Sequence, residues 1–354
     1  MGRKKYFAAL AAAGMIGAMA LGSAFNSYAA DGWTKSNDHW TYIYQGKTYT
    51  GWLETSDGKY YMDLSDGHMT TGFKQIDGKW YFFRPNGLMA QSRWINPEYG
   101  KWYYFLGDGT MVTGWLKIGN DYYFMRGDGS MGTGWRQMDG AWYYFQSSGK
   151  CVVNSWAQIK NSWYLFGTDG KMMIGWAKVD NDYYYLNTDG RMLTGWLTDS
   201  EGSKYYMDQS NGKMSVGWKQ IDNAWYYFNT SGYRQTGWVR VDRQWYYLNG
   251  DGVMTSGWQF VNGAWYYLNG SGEMQTGWQY VGNKWYYLDS NGVMQTGWKQ
   301  IGGQWYYLNG KGEMTTGWQS IGGRWYYLGG NGVMYANTWT PDGRYVDGSG
   351  VWVQ

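Results

Sequence analysis

A twenty-residue phrase, close to Gly-Trp-x-x-x-x-Gly-x-x-Trp-Tyr-Tyr-Leu-x-x-x-Gly-x-Met-x, recurs along most of this chain. It is strictest at Gly237-Trp238, Gly257-Trp258, Gly277-Trp278, Gly297-Trp298 and Gly317-Trp318, each pair 20 residues after the last. Looser copies are centred on Trp52, Phe73, Trp94, Trp115, Trp135, Trp156, Trp176, Trp196 and Trp218. A fixed period of this length marks an array of stacked units in which each repeat buries its apolar side on its neighbours. After the first 30 residues nearly every position belongs to a repeat or a terminal cap. Function must therefore reside in the repeat itself.

Residues 277–295 show what one unit folds into. Trp278-Gln279-Tyr280-Val281 alternates its side-chain faces, Gly282-Asn283 turns the chain, and Lys284-Trp285-Tyr286-Tyr287-Leu288 alternates again. Asp289-Ser290-Asn291-Gly292 then makes a second turn. Aromatic and β-branched runs between Asn, Asp and Gly clusters are the β-hairpin pattern. One hairpin is marginal in water, so the expected fold is all-β, a solenoid of stacked ~20-residue β-hairpin repeats. Alternation sends Trp285 and Tyr287 one way and Tyr286 and Leu288 the other; which set faces inward stays open. The composition agrees, with 21% aromatics and 56 glycines in 354 residues, more than twice the usual glycine share of about 7%.

Four segments are expected: a signal peptide over 1–29, divergent repeats over 30–216, regular repeats over 217–338 and a cap over 339–354. Arg3, Lys4 and Lys5 precede an apolar, alanine-rich run, with Ser27 and Ala29 placed for cleavage. The chain is thus expected to be exported. In the divergent part, Asn96-Pro97-Glu98-Tyr99 and Asp199-Ser200-Glu201-Gly202 stretch the spacing. Tyr60, Tyr122, Tyr183 and Tyr205 are read in place of the second tryptophan, and Phe73 in place of the first. Arg234 is read in the methionine slot near Trp218 and Trp225. Thr340-Pro341-Asp342-Gly343-Arg344-Tyr345-Val346 breaks the phrase and is expected to cover the last hairpin.

Charge and chemistry exclude several functions. Thirty Lys and Arg, less the three at positions 3–5, leave 27, equal to the 27 Asp plus Glu. A neutral chain lacks the footprint for nucleic acid or anionic lipid. No further stretch is apolar enough to insert in a membrane. Cys151, the single cysteine, stands in a methionine slot and reads as a small hydrophobe. His39 and His68 fall in N-terminal repeats, no phosphate loop or metal-spaced cluster occurs, and neither catalysis nor a cofactor is expected. Arg126-Gly127-Asp128, a tripeptide that some integrins read, falls on an ordinary second turn.

Packing alone does not require Trp and Tyr in preference to Leu and Ile. Ring faces at fixed geometry attract organic cations, each face contributing roughly 0.5–2 kcal/mol. Pyranose rings stack on the same side chains, so a cation and a glucan are both open. The phrase Thr276-Gly277-Trp278, Gly282-Asn283-Lys284-Trp285-Tyr286-Tyr287-Leu288, Asn291-Gly292-Val293-Met294 resembles the cell-wall-binding, or choline-binding, repeat of Gram-positive surface proteins and phage lysins. The resemblance extends over about residues 32–338. It implies a left-handed superhelix and a ligand, choline on teichoic acid, held between consecutive repeats by two tryptophans, a tyrosine of the next repeat and a methionine. Carried over, one box is Trp238, Trp245 and Tyr266 with Met254, and the next Trp258, Trp265 and Tyr286 with Met274. Then come Trp278, Trp285 and Tyr306 with Met294, and Trp298, Trp305 and Tyr326 with Met314. Which tyrosine of each pair closes the box is left open. The implied protein is a non-catalytic, secreted, wall-attached polymer binder; the alternatives are a glucan binder and an adhesive solenoid presenting its divergent half to a host or matrix protein.

Overall fold

The computed structural model describes residues 30–353, and these contain strands and turns but no helix. The expected signal segment lies outside the described residues. Gly277–Val281 and Lys284–Leu288 pair antiparallel, with Trp278 opposite Tyr287, Gln279 opposite Tyr286 and Tyr280 opposite Trp285. Gly282 and Asn283 between them both take positive φ, +57° and +62°. That is the two-residue turn whose twist suits a hairpin, and it explains Gly and Asn there. Every regular repeat copies this register.

The second turn ties each hairpin to the one before it. Asp289 Oδ1 accepts the backbone N–H groups of Asn291 and Val293 at 2.9 and 3.0 Å, fixing the turn with a side chain suited to it. The chain then returns beside its own hairpin, Met294 bridging to Leu288. The Met294 N–H donates 2.8 Å to the Trp265 carbonyl of the preceding hairpin. The same bond links Met254 to Trp225, Met274 to Trp245 and Met314 to Trp285. A hairpin's edge is thereby paired rather than left bare.

The most deeply buried positions form a ladder of one residue per repeat. Leu248, Leu268, Leu288, Leu308 and Leu328 are fully buried, as are Phe83, Phe105, Met125 and Phe145 in the divergent repeats. The strand face carrying Leu288 is therefore the buried one, while Trp285 on the other face keeps 42% of its surface exposed.

By compactness the chain divides between Met173 and Ile174 into two units, each a succession of such hairpins. The insertion at residues 96–99 is a register shift between Ile95 and Glu98. Two ion pairs occupy matching places in the two units: Lys74 with Asp63 at 2.5 Å, and Lys219 with Asp208. In both, hydrogen bonding from the lysine holds the carboxyl far below its usual range.

Candidate ligand-binding site

Each hairpin presents its Gly-Trp tryptophan as the centre of a corner. Trp278 lies 6.3 Å from Trp285, with ring planes at 88°. It lies 4.9 Å from Tyr306 of the next hairpin, at 64°. Trp238 with Trp245 and Tyr266 repeats this at 6.4 and 4.8 Å, as does Trp258 with Trp265 and Tyr286 at 6.5 and 4.7 Å. Trp298 with Trp305 and Tyr326 lies at 6.4 and 4.8 Å. Between hairpins, the first tyrosine of the following pair meets the tryptophan. The second packs on the tryptophan of its own hairpin, as Tyr287 does on Trp278 at 5.2 Å.

The methionine comes from one repeat later than the sequence reading placed it. Since Met274, not Met254, bonds to the Trp245 backbone, the Trp238 box takes Met274; by the same bond Met294 belongs with Trp265 and Met314 with Trp285. Met334 belongs with Trp305, and Met254 with Trp225. The reason is the return strand, which pairs backwards by one hairpin. The cavities show the full set. Trp94, Trp102, Tyr123 and Met131 line about 320 Å³ together with Ser147 and Ser148 of the turn one repeat further on. Trp176, Tyr183, Tyr205 and Met214 line about 290 Å³.

Three further placements differ from expectation. Lys59 and Lys204, opposite Glu54 and Thr198, hold the second-tryptophan register, while Tyr60 and Tyr205 are first tyrosines of their pairs. Tyr122 and Tyr183 do stand in the tryptophan register. Arg234 bonds to the Lys204 carbonyl, so it enters the box of Trp196 and Tyr226 rather than that of Trp218. There its guanidinium donates to the Asp251 and Gly250 carbonyls at 2.6 and 3.3 Å. The structure adds an N-terminal box: Trp33, Trp40, Tyr60 and Met69. Trp33 lies 6.4 Å from Trp40 and 4.8 Å from Tyr60, and Met69 bonds to the Trp40 carbonyl at 2.7 Å.

Acidic side chains stand at some of these boxes. Asp108 lines the box of Trp52 and Tyr81, and Asp169 that of Trp115, Tyr122 and Tyr143. Burial raises the Tyr246 and Tyr286 phenols above their usual value, and the carboxylates of Glu273 and Glu313 push them further the same way. A corner of ring faces with a carboxylate nearby favours a cation on both counts. Asp128 of the Arg-Gly-Asp tripeptide is spent inside its turn, accepting from the Ser130 N–H and hydroxyl. Among the described residues no group of three His, Cys, Asp or Glu side chains is placed to hold a metal.

The turn glycine guards the floor. A Cβ built on Gly292, whose φ is +79°, would sit 2.5 Å from Met274 Sδ and 2.9 Å from its Cγ and Cε. Gly297 has φ +74° and nothing within 4 Å. Both alanine variants incur the positive-φ cost of roughly 1–3 kcal/mol, but only Gly292→Ala must also push Met274 aside. A larger drop in unfolding temperature is expected for G292A than for G297A; equal drops would refute the packing role.

Cys151 is the floor residue of the Trp115 box, and burial pushes its thiol up to about 11. Since the thiolate is the nucleophile, iodoacetamide should modify it slowly between pH 7 and 9 and faster only as pH approaches 11. Rapid labelling at neutral pH would contradict this.

Comparison with known proteins agrees with this geometry. The choline-binding repeat matches residues 70–112, 132–173, 173–216, 215–257, 235–276, 255–296 and 295–339, and the cell wall binding repeat matches 50–69 and 113–131. No curated protein sequence matches the chain. Among solved structures, CbpJ from Streptococcus pneumoniae TIGR4 is 35% identical over 68% of this chain and 100% of its own, with a TM-score of 0.55. Choline binding protein F from Streptococcus pneumoniae is 34% identical over 87% of this chain and 100% of its own, with a TM-score of 0.41. The modular autolysin LytC from Streptococcus pneumoniae is 26% identical over 64% of this chain and 52% of its own, with a TM-score of 0.45. With repeats matched from residue 50 to residue 339 and folded as stacked hairpins with aromatic corners between them, the chain belongs to the choline-binding repeat family.

Proposed function

We propose that this chain is an exported, non-catalytic protein that attaches to the cell wall by gripping choline groups of wall polymer, one per aromatic box. The observation that carries the reading is the exposure of the second tryptophans: Trp245, Trp265, Trp285 and Trp305 keep 39–42% of their surface free while standing edge-on to a second tryptophan. Rings needed only for packing would be covered. Nearby carboxylates supply what a quaternary ammonium wants and a neutral pyranose does not require. One box, worth a few kcal/mol before the entropy of binding, holds choline only weakly. Many boxes facing a polymer with many cholines hold it firmly by effective concentration.

Titrating the purified chain with choline while following tryptophan fluorescence tests this, with dextran as a parallel titrant. Saturable quenching by choline alone supports the cation reading. A response to dextran alone would move the chain to glucan binding, and silence to both would leave the rings as packing.

A further inference from the structure

The last box of the array is built differently. In the cap, Thr338 lies opposite Val346 and Trp339 opposite Tyr345, as Gly317 lies opposite Leu328 and Trp318 opposite Tyr327 one hairpin earlier. Arg344 therefore occupies the register of the first tyrosine, the position that closes every box upstream. Trp352 occupies the methionine register: it bridges to Val346, and its N–H donates 2.8 Å to the Trp325 carbonyl.

These two replacements put a cation where a ligand cation belongs. The Arg344 guanidinium carbon lies 5.4 Å from the Trp318 ring centre and 5.1 Å from that of Trp352. The two rings are 6.1 Å apart and inclined at 62°. Both distances fall within the ~6 Å at which a ring face attracts a cation. Asp342 fixes the arrangement, accepting the Trp318 Nε1–H at 3.0 Å with Arg344 Nε 3.7 Å away. We infer that Trp318 and Trp352 form a further organic-cation site whose resident ligand is the chain's own Arg344 guanidinium, and that this box is closed to soluble choline. A tethered cation acts at high effective concentration, so free ligand competes poorly. The cap breaks the repeated phrase, and its register is visible only in the strand pairing.

Two measurements test it. In the full chain with labelled arginine, the Arg344 side-chain protons should be shifted upfield by the rings relative to those of exposed Arg324; coincident shifts overturn the inference. In calorimetry, Arg344→Tyr, which restores the repeat's tyrosine, should bind one more choline equivalent than wild type, while Arg344→Lys, which keeps the cation, should add none. An unchanged count in a folded R344Y protein overturns it. The calorimetric arm rests on the choline reading above. A wild type that binds no choline would defeat that reading and leave the proton shifts to decide the resident arginine.

Discussion

Replacing Trp245, Trp265, Trp285 and Trp305 together with alanine is expected to lower retention on choline-bearing cell walls by at least about 100-fold, with the array still folded. The loss is large because avidity multiplies: each vacated box removes one rebinding opportunity from a polymer already held nearby. The fold survives because these side chains are only partly buried, 39–42% exposed. What each contributes to stacking is a ring contact at 6.3–6.5 Å, worth roughly 0.5–1.5 kcal/mol. The hydrogen bond that links consecutive hairpins goes to the tryptophan's backbone carbonyl, which alanine retains. Sedimentation with walls, a choline count by calorimetry and far-UV circular dichroism check the three parts. Undiminished retention with four fewer equivalents would show that wall attachment does not run through the boxes.

The period, the hairpins and their turns were legible because each is written within a single repeat. Gly282-Asn283 demands positive φ, whereas alternation alone leaves open whether the face of Leu288 or that of Trp285 is buried. What was not legible lies between repeats. The first tyrosine and the methionine of each box come from a neighbouring hairpin, and the methionine's partner is set by the return strand, which no spacing within the repeat reports. The assignments of Tyr60 and Tyr205 failed for a related reason. Spacing puts an aromatic in the tryptophan position, whereas strand pairing puts Lys59 and Lys204 there. Trp33 and Trp40 could have been found, since they stand seven residues apart as Trp238 and Trp245 do.

Leu288→Ala should do the reverse of the tryptophan variants, costing stability of roughly 2–5 kcal/mol. Leu288 is fully buried, stands opposite Gly277 within its hairpin and bridges to Met294 on the return strand. Its removal leaves a cavity in the ladder at the point where one hairpin hands over to the next. In an array whose stability is a sum of repeats and neighbour interfaces, such damage stays local. Hydrogen exchange should therefore accelerate in the hairpin of residues 277–288 and in its immediate neighbours, while distant hairpins keep their protection. Choline bound by the boxes further along the same unit should persist at temperatures below the new transition. Trp285→Ala, three residues away on the opposite strand face, should lower the unfolding temperature less and lose one choline equivalent. If both variants lose stability equally, the division of each strand into a buried supporting face and an open binding face is wrong.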